Sequence, residues 1–277
     1  MELNRAFFAS GLVGACLLLT LSGAAAQPAA AESPPDAKAI LMEMAQFLSA
    51  TPQFSVNMRN GYDVVQASGQ KIEFNEKRTL LVRRPDRLRV EVEHSDGDKQ
   101  LVLFDGKELT VLSTPQNAYA QAAKPGTIDD AVVYFLRDLQ MRLPLALMLV
   151  EKLPAEFERR AESVDYVEKT SVLGVEAHHL AARAATVDFQ IWITAGKQPL
   201  PLRAVLTYKT AEGAPQFWAD FTDWNLAPQV TDASFAFTAP PGARKIAFLP
   251  QIAQLAPAGA IAAQPGAQAP QSTGEQQ

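Results

Sequence analysis

The sequence predicts a mainly β (α+β) protein. Its framework is a single strongly curved antiparallel sheet, a half-open barrel of about eleven strands, with an N-terminal helix and a central helical insert covering the concave face. Three observations predict it. Apolar residues recur with a period of two in short segments from Gln53 to Ala122 and again from about 160 to 225. Turn pairs separate those segments at spacings too short for strand–helix–strand crossovers. A stretch with helical period, 127–151, stands between the two runs. A single open sheet of that width must curl.

The first helix is capped by Asp36 and runs to about Ala50, where Thr51-Pro52 ends it. Ile40, Leu41, Met44, Phe47 and Leu48 form its apolar stripe. Strands follow at 54–66, 70–83, 87–94, 99–105, 108–113 and 118–122. Ser68-Gly69, Pro85-Asp86, Asp96-Gly97, Asp105-Gly106 and Thr114-Pro115 supply the turns. In one strand Leu88, Val90 and Val92 face one way, and Arg87, Arg89, Glu91 and Glu93 face the other. One side of the sheet is therefore apolar and the other wet.

In the insert, Thr127 caps a helix with the stripe Ile128, Val132, Phe135, Leu136 and Leu139. Pro144 suits the first turn of a second short helix, Leu145 to Glu151, apolar almost all round. Further strands are expected at about 160–170, 174–183, 187–194, 202–209 and 216–225, then a short element at 232–237. Residues 250–277 are Ala, Gln, Pro and Gly with little charge, and read as a disordered tail.

The chain opens with one positive charge at Arg5, an apolar run from Ala6 to Leu21, and small residues at Ala24-Ala25-Ala26. Residues 1–26 thus read as a secretory signal peptide cleaved before Gln27, with 27–35 a linker and 36–249 the folded domain. The alternative is a lipoprotein anchored at Cys16, since Val13-Gly14-Ala15-Cys16 loosely resembles a lipobox. Cys16 is the only cysteine, so the cleaved product has no disulfide and no thiol nucleophile. A net charge of −5 without a basic block excludes the electrostatic footprint of a nucleic-acid binder. After the signal, the longest apolar run, Leu143 to Val150, is too short to cross a membrane.

Several stretches carry a family resemblance. They are Arg84-Pro85-Asp86-Arg87-Leu88-Arg89, Phe104-Asp105-Gly106-Lys107, Asn117-Ala118-Tyr119-Ala120 and Pro144-Leu145. Beyond them come His178-His179-Leu180, Asp188-Phe189-Gln190-Ile191-Trp192-Ile193, Pro199-Leu200-Pro201, Asp223-Trp224-Asn225 and Phe235 to Ala243. Together they resemble the bacterial family of predicted periplasmic proteins called domain of unknown function 2092, over about residues 36–249. The resemblance implies a periplasmic location and assigns no activity. The order of elements also resembles the lipoprotein-carrier superfamily of LolA, LolB and LppX/LprG types. That likeness implies a half-barrel whose helices cover a cavity for acyl chains.

Chemistry-bearing motifs are sparse. His178 and His179 are strand neighbours and point to opposite faces, so they do not share a metal, and no metal site or cofactor is expected. No Gly-x-Ser-x-Gly, His-Glu-x-x-His or phosphate-cradling glycine loop occurs. Asp188, Gln190 and Trp192 share one face; Trp218, Asp220, Thr222 and Trp224 share another. Each is either a headgroup or sugar platform or an ordinary exposed sheet. Arg84, Arg87 and Arg89 read as a solvated strand edge, or as an attractor of anionic headgroups.

The leading expectation is a non-enzymatic periplasmic protein that binds or carries a lipid, an acyl chain or a similar apolar ligand in a lidded cavity. Leu143, Leu145, Leu147 and Met148 would form the lid, and Val132, Phe135, Leu136, Leu88, Val90 and Val92 the cavity. The alternative is a solid-core module that docks an envelope protein partner. A hydrolase using scattered carboxylates is the third. For the export reading, the intact mass of protein recovered from the periplasm should begin at Gln27. A diacylated Cys16 would overturn it.

Overall fold

The structure, a computed structural model, describes residues 35–138 and 144–247. Two meanders build its sheet. β1 (Gln53–Val65), β2 (Lys71–Arg83), β3 (Arg87–His94), β4 (Lys99–Phe104), β5 (Glu108–Ser113) and β6 (Ala118–Ala123) step outward by hairpins. β7 (Ala161–Val172), β8 (Val175–Ala184), β9 (Asp188–Thr194), β10 (Pro201–Thr207) and β11 (Gln216–Asn225) start at the opposite edge and step inward. β11 then pairs antiparallel with β1, Met58 opposite Phe221 and Tyr62 opposite Phe217, joining both meanders in one sheet. β12 (Arg244–Ile246) pairs parallel with β6. The described sheet thus has twelve strands rather than about eleven, one pair of them parallel. β12 escapes sequence reading because its three residues carry no alternation of their own.

Helix α1 (Ala37–Ala50) begins where Asp36 accepts from the Ala39 amide at 3.0 Å. Its stripe buries Leu41, Met44, Ala45 and Leu48, with Ile40 and Phe47 half-buried. The core around it holds Phe54, Val82, Leu88, Phe104 and Leu109 from the first meander. It also holds Leu180, Ile191, Ile193 and Phe217 from the second. Side chains from both halves meet one helix only if the sheet curls around it. Each fully buried large side chain contributes about 2–3 kcal/mol.

The insert departs from expectation in three places. α2 (Ile128–Val133) carries a full capping box: Thr127 accepts from the Asp130 amide, and Asp130 Oδ2 accepts from the Thr127 amide at 2.8 Å. From Tyr134 to Asp138 the helix widens to π geometry. Val132 and Phe135 stay buried, but the wider turn rotates Leu136 off the stripe to 37% exposure. Leu139 lies outside the described residues. The expected helix from Leu145 to Glu151 is a single 3-10 turn, Ala146–Leu149. Pro144 does not start it, because Leu145 is left-handed at φ 64°. A helix not anticipated, α3 (Leu153–Arg160), follows, with Pro154 in its first turn and Glu156 bound by Arg159 and Arg160 at 2.6 Å each.

Arg84 ties these pieces together. The sequence placed it on a solvated strand edge; instead it is half-buried. Its Nε donates to Thr51 O at 3.2 Å, Nη2 to Leu48 O at 3.3 Å and Nη1 to Leu149 O at 2.5 Å. One guanidinium therefore serves the last carbonyls of α1 and the end of the 3-10 turn. Burial pulls its pKa below the ordinary arginine value, while Glu151 and Asp129 oppose that shift. Next to it, Pro85 O accepts from the Ile128 amide at 2.8 Å, fixing the start of α2.

After β11 the chain crosses the outer face of the first meander as a strap. Pro228 O accepts from Gln53, Asp232 pairs with Arg83, and Ser234 O accepts from Arg89. The short element expected at 232–237 is a 3-10 turn, Asp232–Phe235, with Phe235 2% exposed beneath the Arg83 guanidinium.

Arg84→Met should lower stability by about 2–4 kcal/mol, by stranding carbonyls at two helix ends. A urea titration reads this, and Arg84→Lys should not restore it, because an ammonium lacks the planar fork. A loss under about 1 kcal/mol would overturn the clamp. Asp130 titrates below the ordinary aspartate value, held down first by the Thr127 amide and then by its hydroxyl. Its contribution is present above the unfolded pKa of about 4 and lost as pH falls through the lower folded value. Exchange of the Thr127 amide should therefore accelerate under acid, and the Asp130→Asn variant should show a flatter pH dependence.

Candidate functional site

Cross-strand partners point to the same side of a sheet, so the pairing registers sort every strand residue by face. The concave face carries Phe54, Val56, Met58, Asn60 and Tyr62 on β1; Val82, Leu80, Arg78, Glu76 and Phe74 on β2; and Leu88, Val90, Val92 and His94 on β3. On the other half it carries Phe217, Ala219 and Phe221, then Ala204 and Leu206, then Phe189 and Ile191, then Leu180. Most of this surface lies in the core beneath α1 and the insert.

The residues singled out from sequence for a cavity and its lid fall into different settings. Leu88, Val132, Phe135 and Met148 are buried in the main core. Val90, Leu145 and Leu147 are half-buried against it. Val92 is buried at 9% exposure but outside that cluster, paired with Arg78 and Gln100. Leu136 is exposed. Leu143, like Cys16, the signal segment 1–26 and the tail 250–277, lies outside the described residues.

A recess of about 390 Å³ opens where the insert meets the second meander. Leu136 and Pro144 line it from the insert, Thr186 and Val187 from the β8–β9 turn, and Tyr208, Thr210 and Ala211 from the β10–β11 turn. Leu206 and Phe189 lie side by side on the concave face, and Phe189 stacks on Phe157 of α3 at 5.8 Å. Thr186, Tyr208 and Thr210 bring hydroxyl groups to the lining, and its other residues are apolar.

Sequence reasoning missed a polar cluster on the same concave face. Glu76, whose side chain is 2% exposed, accepts through Oε1 from Asn60 Nδ2 at 3.0 Å and from Arg78 Nη2 at 2.6 Å. His94 Nδ1 lies 3.4 Å from Glu76 Oε2. Burial, with the Glu76 carboxylate near, holds the Tyr62 phenol above its ordinary pKa. The signal was available: Asn60, Glu76 and Arg78 interrupt the apolar phase of strands that otherwise read as core on that side.

The outer face carries a different arrangement. His179 stacks on Trp192 at 4.0 Å, and Arg203 lies over both Trp192 and Trp218 while binding Asp220 at 2.6 Å. The backbone of Gly61 comes close beneath Trp218; a Cβ there would stand 2.6 Å from the indole nitrogen. Trp224 does not share this face. Asp223 adopts φ 55° and the β1–β11 register slips, which turns Trp224 inward against Phe54 and Phe221. His178 faces the concave side, 3.3 Å from the Tyr166 hydroxyl, so the two histidines do part. Among the described residues no cluster of three metal-ligating side chains occurs. No described helix is long and apolar enough to cross a membrane.

Comparison with curated proteins finds no match. Solved structures similar in outline include an uncharacterized conserved protein from Thermus thermophilus, 10% identical at a TM-score of 0.43, covering 75% of this chain and 97% of that one. Lipoprotein LppX of Mycobacterium tuberculosis is 12% identical at a TM-score of 0.41, covering 71% and 100%. A LolA superfamily protein of Nitrosomonas europaea is 12% identical at a TM-score of 0.37, covering 73% and 98%. The family model described as predicted periplasmic protein (DUF2092) matches residues 37–249, nearly the whole described chain, and the protein belongs to that family.

Proposed function

We propose that this protein is a non-enzymatic periplasmic binder of an acyl chain or similar apolar ligand, held between the insert and the concave face. One observation carries the reading: a recess of about 390 Å³ opens between the insert and the second meander, lined by Leu136, Pro144, Val187 and Ala211 together with Thr186, Tyr208 and Thr210. Close to these in the chain, Leu145 and Leu206 pack half-buried against the core. Leu136, turned out by the π segment, presents an apolar surface at the rim. A ligand entering here would take Leu145 to Val150 as its cover. Burial yields about 0.8 kcal/mol per methylene, so about ten methylenes supply on the order of 8 kcal/mol. That offsets association costs at the lower end of their range.

A second reading, a solid-core docking module, draws on the β7–β8 hairpin. Its tip exposes Leu173 at 75% and Val175 at 44%, and farther down β7 Val167 is exposed at 49%. Apolar side chains grouped at an edge suit a protein partner.

Native mass spectrometry of protein purified from the periplasm should show a lipid adduct lost on delipidation. The delipidated protein should bind a fluorescent fatty acid saturably. Leu136→Asp should weaken that binding about tenfold with little change in melting temperature, because the side chain is already exposed. Absence of both adduct and saturable uptake would sink the acyl reading and leave the docking module.

A further inference from the structure

We propose that a second recess, on the outer face between the strap and β4 to β6, is an anchor pocket for one arginine side chain of a protein partner. It lies on the other side of the sheet from the acyl recess and stands independently of that reading. Its volume is about 230 Å³. That is below the roughly 300–1,000 Å³ of pockets that enclose a whole small molecule, and it suits a single long side chain. Leu103, Thr110 and Gln121, one cross-strand row, line it from the sheet. Phe235 and Phe237 line it from the strap, and Asp105 and Glu108 bring it two carboxylates.

Those carboxylates are held in place but not neutralised. Asp105 Oδ1 accepts from the Lys107 amide at 2.9 Å and the Glu108 amide at 2.7 Å. Glu108 Oε2 accepts from Gln121 Nε2 at 2.8 Å, and Gln121 Nε2 also reaches the Thr110 hydroxyl at 3.2 Å. Neither acid has an ion-pair partner among the described residues. The cations of the neighbouring strands are engaged: Arg83 with Asp232, Arg87 with Asp86 at 2.8 Å and Arg89 with Glu91 at 2.6 Å. Two acids on an open sheet would simply be hydrated. Here they share a recess with Leu103 and Phe235, each 2% exposed, so water meets them from fewer directions.

Carboxylates beside phenyl rings select the type of cation. A guanidinium sheds water more readily than an ammonium, lies against an aromatic face and donates to carboxylates through a planar fork. Phe235 already carries the Arg83 guanidinium at 5.3 Å, so the half-buried Phe237 is the ring left to the guest. One side chain in so small a recess binds weakly by itself. A protein partner adds contact area around the rim, where Ala236 and Thr238 of the strap are exposed, and arginine is a frequent anchor of such interfaces.

An NMR titration of the full-length protein with three blocked tripeptides tests this, the central residue being arginine, lysine or citrulline between glycines. The arginine peptide should shift the amides of Glu108, Gln121 and Phe237 saturably. The lysine peptide should bind about threefold more weakly, and the uncharged citrulline peptide about tenfold more weakly. Asp105→Asn and Glu108→Gln keep an oxygen for the turn amides and for Gln121, and each should weaken the arginine peptide about fivefold. Glu212→Gln, at an exposed acid of the β10–β11 turn, should leave its binding unchanged. Equal binding of the arginine and citrulline peptides, or an affinity that neither pocket variant moves, would overturn the pocket. A lysine peptide binding as tightly would overturn the choice of arginine. Fatty-acid uptake is read on the other face, so either reading can fail without the other.

Discussion

Everything on the concave side depends on how carbonyl groups at helix ends are satisfied where water is scarce. Leu48 O and Thr51 O close α1, Leu149 O closes the 3-10 turn, and all three point to Arg84 at the end of β2. A planar cation with five donors in a rigid fork meets all three carbonyls in one fixed geometry, where an ammonium offers three donors on a flexible stem. With α1 fixed, Leu41, Met44 and Leu48 have a defined height above the sheet, and both meanders can close around them. The adjoining Pro85 carbonyl receives the first amide of α2, so one short joint sets the positions of all the covering elements.

The strands were legible because their signal is local. Alternation fixed each face, and turn pairs such as Asp96-Gly97 and Asp105-Gly106 fixed each boundary to within a residue or two. The insert was less legible because its geometry changes within a few residues, from α to π, then to a 3-10 turn behind a left-handed Leu145. No single period describes it. α3 left a capping-type signal in Pro154, Glu156 and the two arginines, but its eight residues blend into the strand that follows. Trp224 was placed on the wrong face for a related reason. Alternation holds only while the register holds, and the bulge at Asp223 is a property of the β1–β11 pairing.

The stretches that carry the family resemblance meet one another in space, which no linear reading reveals. Trp224 donates to Pro201 O at 3.0 Å, joining two of them. Tyr119 packs on Phe237 at 4.9 Å, and Asn117 both donates to Pro241 O at 3.4 Å and accepts from the Arg244 amide at 2.9 Å, joining two more. Arg84 is a third case, the hub described above. These are fastenings: they lock the strap to the outer face and the helices to the inner one. The most recognisable residues of the sequence therefore mostly specify the scaffold; of them only Pro144 lines the recess, whose other walls have no distinctive spacing.

That separation makes the polar cluster the most informative departure from a plain core. β1 places Phe54, Val56 and Met58 inward and then, in the same phase, Asn60; β2 places Val82 and Leu80 inward and then Arg78 and Glu76. Each buried polar group left without a partner costs about 1–3 kcal/mol, and a buried ion pair seldom adds more stability than apolar side chains of the same volume. A wall selected for stability alone would continue the apolar run. A solid docking module gains nothing from charge inside its own curve, since its partner meets the outside. The cluster is held instead by its own contacts, Glu76 to Arg78 at 2.6 Å and to Asn60 at 3.0 Å, so the concave face keeps a polar end beside its apolar length.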